Sequence, residues 1–205
     1  IAPLHGENRI LVSHGIQSMK TLPRRGIASL MGVTAINAIN LSSHHIAYML
    51  GPRLNAAGRL ESALAALELL LSNDVVEASR KAQELDNQNR QRQELTHKLE
   101  DIAIQLAFEE NQDPLLLFAL QKDFNLGVIG LVASHLTERF YRPSIVGVYT
   151  DEFIRASCRS IPEFNITTAL DECADLMEHH GGHSAAAGFT IRSDRFPELK
   201  RRLFA

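Results

Sequence analysis

The stretch Gly51-Pro52-Arg53-Leu54-Asn55-Ala56-Ala57-Gly58-Arg59-Leu60 sets two arginines around a run of small residues. Small residues let a ligand or a second backbone approach closely. Guanidiniums present planar forks that match phosphate oxygens. The Gly51-Pro52 pair reads as a rigid turn ahead of them. On chemistry alone Arg53 and Arg59 admit two roles. They can grip an anion, with Asn55 orienting one of them or binding a phosphate oxygen itself. Alternatively, one pairs with a carboxylate while Ala56-Ala57-Gly58 packs two helices. A second segment of the same character, Gly181-Gly182-His183-Ser184-Ala185-Ala186-Ala187-Gly188, lies near the other end.

Outward from Gly51–Leu60 the chain reads first as short helices. Leu22-Pro23-Arg24-Arg25-Gly26 punctuates the N-terminal part, and Ser62 to Leu71 is rich in the strong helix formers Ala and Leu. Asn73-Asp74 offers an N-cap. From Asp74 to Glu110 no Gly or Pro interrupts a pattern of apolar residues three and four apart: Ala78, Ala82, Leu85, then Leu95, Leu99, Ile102 and Leu106. Its middle, Asp86–Glu94, is polar on every face, which predicts a helix of roughly 55 Å bridging two domains with its waist in solvent. The bland alternative is a coiled-coil arm, which that polar waist would interrupt.

After Pro114 the periodicity changes. Leu115–Leu120 and the segments Pro143–Thr150 and Glu152–Arg159 read as strands, the last two paired around Thr150-Asp151-Glu152. Gly127–Tyr141 reads as a helix. Ile166–His180 is expected to be a second helix, capped by Asn165 and ended by Gly181-Gly182. Phe189–Arg192 is a strand, and Ser193 caps a last helix to Phe204. Strand, helix, strand, strand, helix, strand, helix is a small α/β domain.

Composition sets bounds on function. Of 205 residues 45% are hydrophobic and 22% charged, ordinary for a globular protein large enough to bury one or two cores. A net charge of −3 gives no bulk sign of nucleic-acid binding, so any phosphate contact must come from a local cluster. Trp is absent and aromatics are only 6%, which argues against an extended base-stacking platform. Cys158 and Cys173 lack metal-site spacing and suit a reducing, cytoplasmic setting. No apolar run approaches the ~20 residues of a membrane span.

Ser157 and Arg159 alternate along a strand, so both side chains share one face and make a compact anion site. The bland reading is an ordinary edge-strand arginine. In the Gly181–Gly188 string, exposed amides of Gly182 and the imidazole of His183 would share one concavity suited to anions. A lone histidine is nonetheless more often structural.

Gly51–Leu60, Ser157-Cys158-Arg159-Ser160-Ile161 and Gly181–Gly188 together resemble the RecJ branch of the DHH phosphoesterase family, single-strand-specific 5′ exonucleases. The resemblance covers nearly the whole chain, but only the middle of such a protein. It implies an α/β architecture in three parts: residues 1–72 as the C-terminal remnant of a DHH domain, 73–112 as a long connecting helix, and 113–205 as the DHH-associated, substrate-binding domain. It implies that Arg53, Asn55 and Arg59 lie near the substrate backbone, that Ser157 and Arg159 grip the 5′-terminal phosphate, and that Gly182 and His183 contact nucleic acid. The Gly181–Gly188 signature also occurs in oligoribonucleases and alanyl-tRNA synthetase relatives, so it identifies the domain better than the substrate.

The same resemblance implies a parent enzyme that hydrolyses single-stranded DNA 5′ to 3′ with Mn²⁺ or Mg²⁺, in DNA repair and recombination. Its last aspartate ligand would stand just before Ile1-Ala2-Pro3-Leu4. No metal is then expected to be held by ligands of this chain, no catalytic residue lies in it, and the isolated chain is expected to be inactive. The implied partners are single-stranded DNA, an N-terminal DHH half and a C-terminal oligonucleotide-binding barrel. Two other readings are a small-nucleotide phosphoesterase of the same superfamily and a catalytically inactive, Cdc45-like DNA-binding scaffold. Ser43-His44-His45 resembles the family's Asp-His-His string but has Ser in place of Asp and comes too late in the chain. It and Glu178-His179-His180, expected at a helix end, lack carboxylates or cysteines at ligand spacing. The family's Trp-His before Gly127-Val128-Ile129-Gly130 is Phe124-Asn125 here, and Asn cannot carry the charge of a His.

Overall fold

The computed structural model describes residues 4–204, so Ile1-Ala2-Pro3 lie outside it. Two compact units divide the chain, one up to Gln93 and the other from Glu94.

The first unit is helical. Helix α1 (Gly6–Thr21) ends before Pro23, and α2 (Arg25–Val33) starts just after it. A short α3 (Ser43–His45) runs through a π-helical turn, Ile46–Leu50, into α4 (Gly51–Leu60). Gly51-Pro52 is thus not the expected turn but the start of a helix. Proline is tolerated there because the first helical positions need no N–H donor, and the widened turn before it absorbs the missing bond. Helix α5 (Leu64–Leu71) follows, and then α6 (Val75–Glu109), whose 35 residues span about 52 Å. Asp74 caps α6 as its sequence predicts, Oδ1 accepting from the Glu77 N–H at 2.7 Å. Leu30, Leu41, Leu50, Leu69 and Leu85 form the core, each nearly or fully removed from water. Each such side chain contributes about 1.5–3 kcal/mol of hydrophobic stabilisation.

The waist of α6 is only partly in solvent as expected: Asn87, Arg90, Gln91, Gln93 and Glu94 are exposed, but one face is not. Asp86 is fully buried, and Asn89 and Gln88 are 2% and 9% exposed. The reason is polar pairing within the first unit. Arg53 holds Asp86, and Gln88 Nε2 donates to Glu61 Oε2 at 3.3 Å. The pairing is incomplete, since Asp86 Oδ2, Gln88 Oε1 and Asn89 Oδ1 are buried without a hydrogen bond, which costs stability.

The second unit is a five-stranded sheet with helices on it. Strands β1 (Leu117–Leu120), β2 (Ser144–Tyr149), β3 (Phe153–Arg159), β4 (Met177–His183) and β5 (Ala186–Arg192) lie in the order β1-β2-β3-β5-β4. Only the β1–β2 pair is parallel, joined through α7 (Ile129–Phe140). One face packs Ile154, Ala156, Cys158, Phe189 and Ile191 against α8 (Ile166–Asp171) and α9 (Phe196–Leu203). The other packs Leu117, Ala119 and Val146 under α7 and the end of α6, through Leu99, Ala103, Val132 and Leu136.

The expected helix Ile166–His180 exists only to Asp171. Asn165 caps it, accepting from the Thr168 N–H at 3.3 Å. The chain then turns through Ala174–Leu176 and pairs as β4 with β5. Gly181-Gly182 therefore lie inside an edge strand instead of ending a helix, and His179 and His180 point to opposite faces of it. Ser193 does not cap α9 either. Its hydroxyl donates to the Thr150 carbonyl at 2.9 Å, and a turn of 3₁₀-helix precedes the helix proper.

Candidate nucleic-acid interface

Antiparallel register arranges the second unit's polar residues in rows. Arg159 pairs with Ala186, which pairs with His183. Ser157 pairs with Gly188, which pairs with Gly181. Directly paired residues share a face, so Arg159, Ser157 and His183 stand on the side opposite Ile154, Ala156 and Cys158. The Gly188 and Gly181 positions leave the sheet bare beside Ser157.

The guanidinium of Arg159 is held in place. Nε donates to Ser134 Oγ at 3.1 Å and Nη1 to the Cys158 carbonyl at 2.8 Å. Nη2 reaches the start of α7, where a Cβ added to Gly130 would lie 3.1 Å from it and 3.5 Å from Ser157 Oγ. A glycine in the first turn of a helix thus meets an arginine and a hydroxyl. The Ile129 and Leu131 N–H groups of this turn are already bonded to the Asn125 and Val128 carbonyls, so what the turn offers an anion is the positive end of the helix dipole. A guanidinium, a hydroxyl and the positive end of a helix dipole converge there. The sequence did not single out Gly130, although the two glycines of Gly127-Val128-Ile129-Gly130 stand close together there.

Beneath Arg159 the Cys158 thiol is buried, and burial pushes its pKa up to about 12 against the opposing pull of the arginine. It is an inert packing group.

Gly182 has φ of +153°, and a Cβ there would collide with the Ala186 carbonyl and with Ala187. Only glycine fits that position. It lets β4 turn tightly into β5 through Ser184-Ala185, and the turn is tied down by the Ser160 N–H on the Ala185 carbonyl and the Ile166 N–H on that of Ser184. His183 is exposed beside this turn. Asn125 also has a backbone role: its Oδ1 accepts from the Gly127 N–H at 2.8 Å and shapes the entry to α7. Phe124 is buried in the core under that helix, so it packs and does not stack.

In the first unit Arg53 is bound to its own fold. Nε donates to Asp86 Oδ1 at 2.8 Å and Nη1 to the Met49 carbonyl at 2.7 Å. Ala56 and Ala57 are fully buried, packing α4 into the helical core. Asn55 is exposed and Arg59 half-buried. The Arg92 guanidinium of α6 has its pKa held below the usual arginine value, by burial first and by the charge of Arg59 second. Two like charges near one another in a partly dry setting are relieved by an anion between them. Nothing in the sequence distinguishes Arg92, which stands inside the polar stretch Asp86–Glu94.

Among the described residues no group of three or more His, Cys, Asp or Glu is placed to hold a metal ion. His45 Nδ1 meets Ser42 Oγ at 2.8 Å, and His180 Nε2 meets Asp171 at 2.8 Å. Among the described residues no helix is long and apolar enough to cross a membrane.

Comparison with known proteins agrees with this architecture. Residues 112–205 match the family described as the DHHA1 domain, so the sheet-containing unit is of that class. The whole chain is similar to the single-stranded-DNA-specific exonuclease RecJ of Bacillus subtilis, 38% identical over 99% of this chain and 26% of the relative. It is likewise similar to that of Escherichia coli, 34% identical over 98% of this chain and 37% of the relative. The crystal structure of Thermus thermophilus RecJ with Mg²⁺ superposes with a TM-score of 0.87 at 31% identity, over 99% of this chain and 31% of that one. Residues 112–205 thus form a DHHA1 domain, and the chain as a whole is similar in sequence and fold to the RecJ exonucleases. It spans between 26% and 37% of the length of these relatives.

Proposed function

We propose that this chain is the substrate-gripping portion of a longer exonuclease that hydrolyses single-stranded DNA from its 5′ end. Ser157, Arg159, Gly130 and the Gly182-His183 edge hold the 5′-terminal phosphate. Arg53, Asn55 and Arg59, joined by Arg92, lie along internal phosphates. Phosphate contacts position a strand without reading its sequence, as a progressive degrader requires. The observation that carries the reading is the convergence of Arg159 Nη2 and Ser157 Oγ on the bare Gly130 at the first turn of α7. Support also comes from the names of the relatives, all single-stranded-DNA-specific exonucleases, and from a similar structure crystallised with Mn²⁺.

A divalent ion, Mn²⁺ or Mg²⁺, would supply the activated water and charge neutralisation of such a reaction. The residues described do not assemble a donor set for it. No hydrolytic step is therefore assigned to this chain, and the isolated chain is expected to be inactive. Its own residues bind and orient.

The test is kcat/KM of Arg159→Ala in the full-length enzyme, at fixed salt, on 5′-phosphorylated and 5′-hydroxyl oligonucleotides. Losing a charge-assisted hydrogen bond costs roughly 1.5–3 kcal/mol, or about ten- to hundredfold. That loss is expected on the phosphorylated substrate, with little change on the other. Equal losses on both ends would refute recognition of the terminal phosphate.

A further inference from the structure

One row further along the sheet from Ser157, Arg155 pairs with Thr190 and Thr190 with His179. By the alternation of strands these three share the face of Ser157 and Arg159. Helix α7 covers the β2 side of that face, but Arg155 and His179 remain exposed. A groove of about 300 Å³ lies here, walled by Leu126 and Ile129 and floored at Gly188. Neither the Arg155 guanidinium nor the His179 imidazole makes a hydrogen bond or ion pair among the described residues, whereas Arg159 is anchored twice. An arginine with no partner, facing a groove, is available to a ligand.

Resting on the function proposed above, we infer that Arg155, Thr190 and His179 form a second phosphate subsite, for a phosphodiester downstream of the 5′-terminal phosphate. Residues 155 and 159 lie about 13 Å apart along an extended strand. That separation places the second site beyond the terminal nucleotide. The Thr190 hydroxyl and the Arg155 fork supply donors to a phosphate oxygen. Leu126, 51% exposed, offers an apolar wall for the face of a base, and contact with a base face is tolerant of sequence. The floor at Gly188 lets the strand lie close to the sheet.

The experiment measures binding of 5′-phosphorylated oligothymidylates by the full-length enzyme in EDTA, which prevents hydrolysis, as a function of length and salt. Arg155→Gln is expected to weaken binding of a hexamer about tenfold and leave the mononucleotide 5′-phosphate unchanged. The salt slope for the hexamer should fall by about 0.7, the value for one phosphate contact on a single strand. Arg155→Lys, which keeps the charge, should restore most of the affinity, and unchanged melting temperatures will show that both variants are folded. Unchanged hexamer binding, or equal weakening for mononucleotide and hexamer, overturns the subsite. Arg159→Ala run in parallel separates the two ideas. If it loses the terminal phosphate while Arg155→Gln changes nothing, the second subsite fails and the function stands. If neither variant changes binding, both fail.

Discussion

Arg53 Nε donates to Asp86 Oδ1 at 2.8 Å, and the carboxylate it meets is wholly removed from water. Arg90 Nη2 lies 2.8 Å from the other oxygen, an ion pair without good hydrogen-bond geometry, and two-thirds of its side chain is exposed. Asp86 is therefore tolerated inside the helical unit mainly because an arginine from α4 is locked onto it. The arginine most prominent in the sequence motif is a structural ion-pair partner as well as a candidate phosphate contact.

Removing Arg53 should leave a buried carboxylate with only an exposed partner. Breaking a buried pair from one side typically costs 3–5 kcal/mol, and Arg90 places this case near about 3. Arg53→Ala should show that loss in urea unfolding, and Arg53→Ala/Asp86→Ala should recover part of it. If Arg53→Ala unfolds like the parent, the pair is not holding α4 to α6.

Much of this arrangement was legible in the sequence, and the failures share a cause. Helix α6 was readable because no Gly or Pro interrupts it and Asp74 caps it locally. Strands β2 and β3 were readable because their turn lies beside them. The buried face of the α6 waist was not, since Asp86 finds its partner 33 residues away. Strand β4 was misread because Ile166, Leu170, Cys173 and Leu176 repeat at helical spacing, while pairing with β5 is a long-range choice that overrides local preference. That Ser157 and Arg159 share a face was readable from strand alternation, and the register agrees. Gly130 was not, because it lies on α7 and its neighbours come from β3, far along the chain.

Gly182→Ala should destabilise the β4–β5 hairpin. Its φ of +153° is essentially reserved for glycine, and the added methyl would strike the backbone of Ala186 and Ala187. A loss of about 2–3 kcal/mol is expected. Gly181→Ala, where a Cβ meets nothing within 4 Å, should be nearly silent. Thermal melts of the two variants decide it, and equal behaviour would show that Gly182 is not constrained.

Acid should loosen the last helix. Hydrogen bonds first from Arg201 and then from Arg202 hold the Glu198 carboxyl at about 2, against an ordinary 4.5. Arg202 also lowers Asp175, tying α9 to the turn before β4. A depressed carboxylate contributes stability above its unfolded pKa and loses it as pH falls through the folded one. The contribution should thus be complete above about pH 4.5 and fade towards pH 2. Glu198→Gln should flatten the melting temperature across that window, and high salt should do the same because the groups are exposed. A parent whose melting temperature does not change between those pH values would exclude the linkage.

Gly130→Ala should separate stability from substrate use. The new methyl would sit 3.1 Å from Arg159 Nη2 and 3.5 Å from Ser157 Oγ, so the guanidinium must shift by a few tenths of an ångström. Both neighbours are the ends of side chains, so the fold can give way without breaking. Alanine is also the better helix former by up to about 1 kcal/mol, which should hold or raise the stability of α7. Recognition has less latitude. A bidentate arginine works through fixed geometry, and a small displacement weakens both of its hydrogen bonds to a phosphate. In the full-length enzyme, kcat/KM on 5′-phosphorylated DNA should therefore fall about tenfold, while the 5′-hydroxyl substrate changes little and the melting temperature does not drop. Gly15→Ala in α1, where a Cβ meets nothing within 4 Å, serves as the control for a general effect of placing alanine in a helix. A Gly130→Ala enzyme that keeps full preference for the phosphorylated end would mean that Arg159 and the first turn of α7 do not meet the terminal phosphate together.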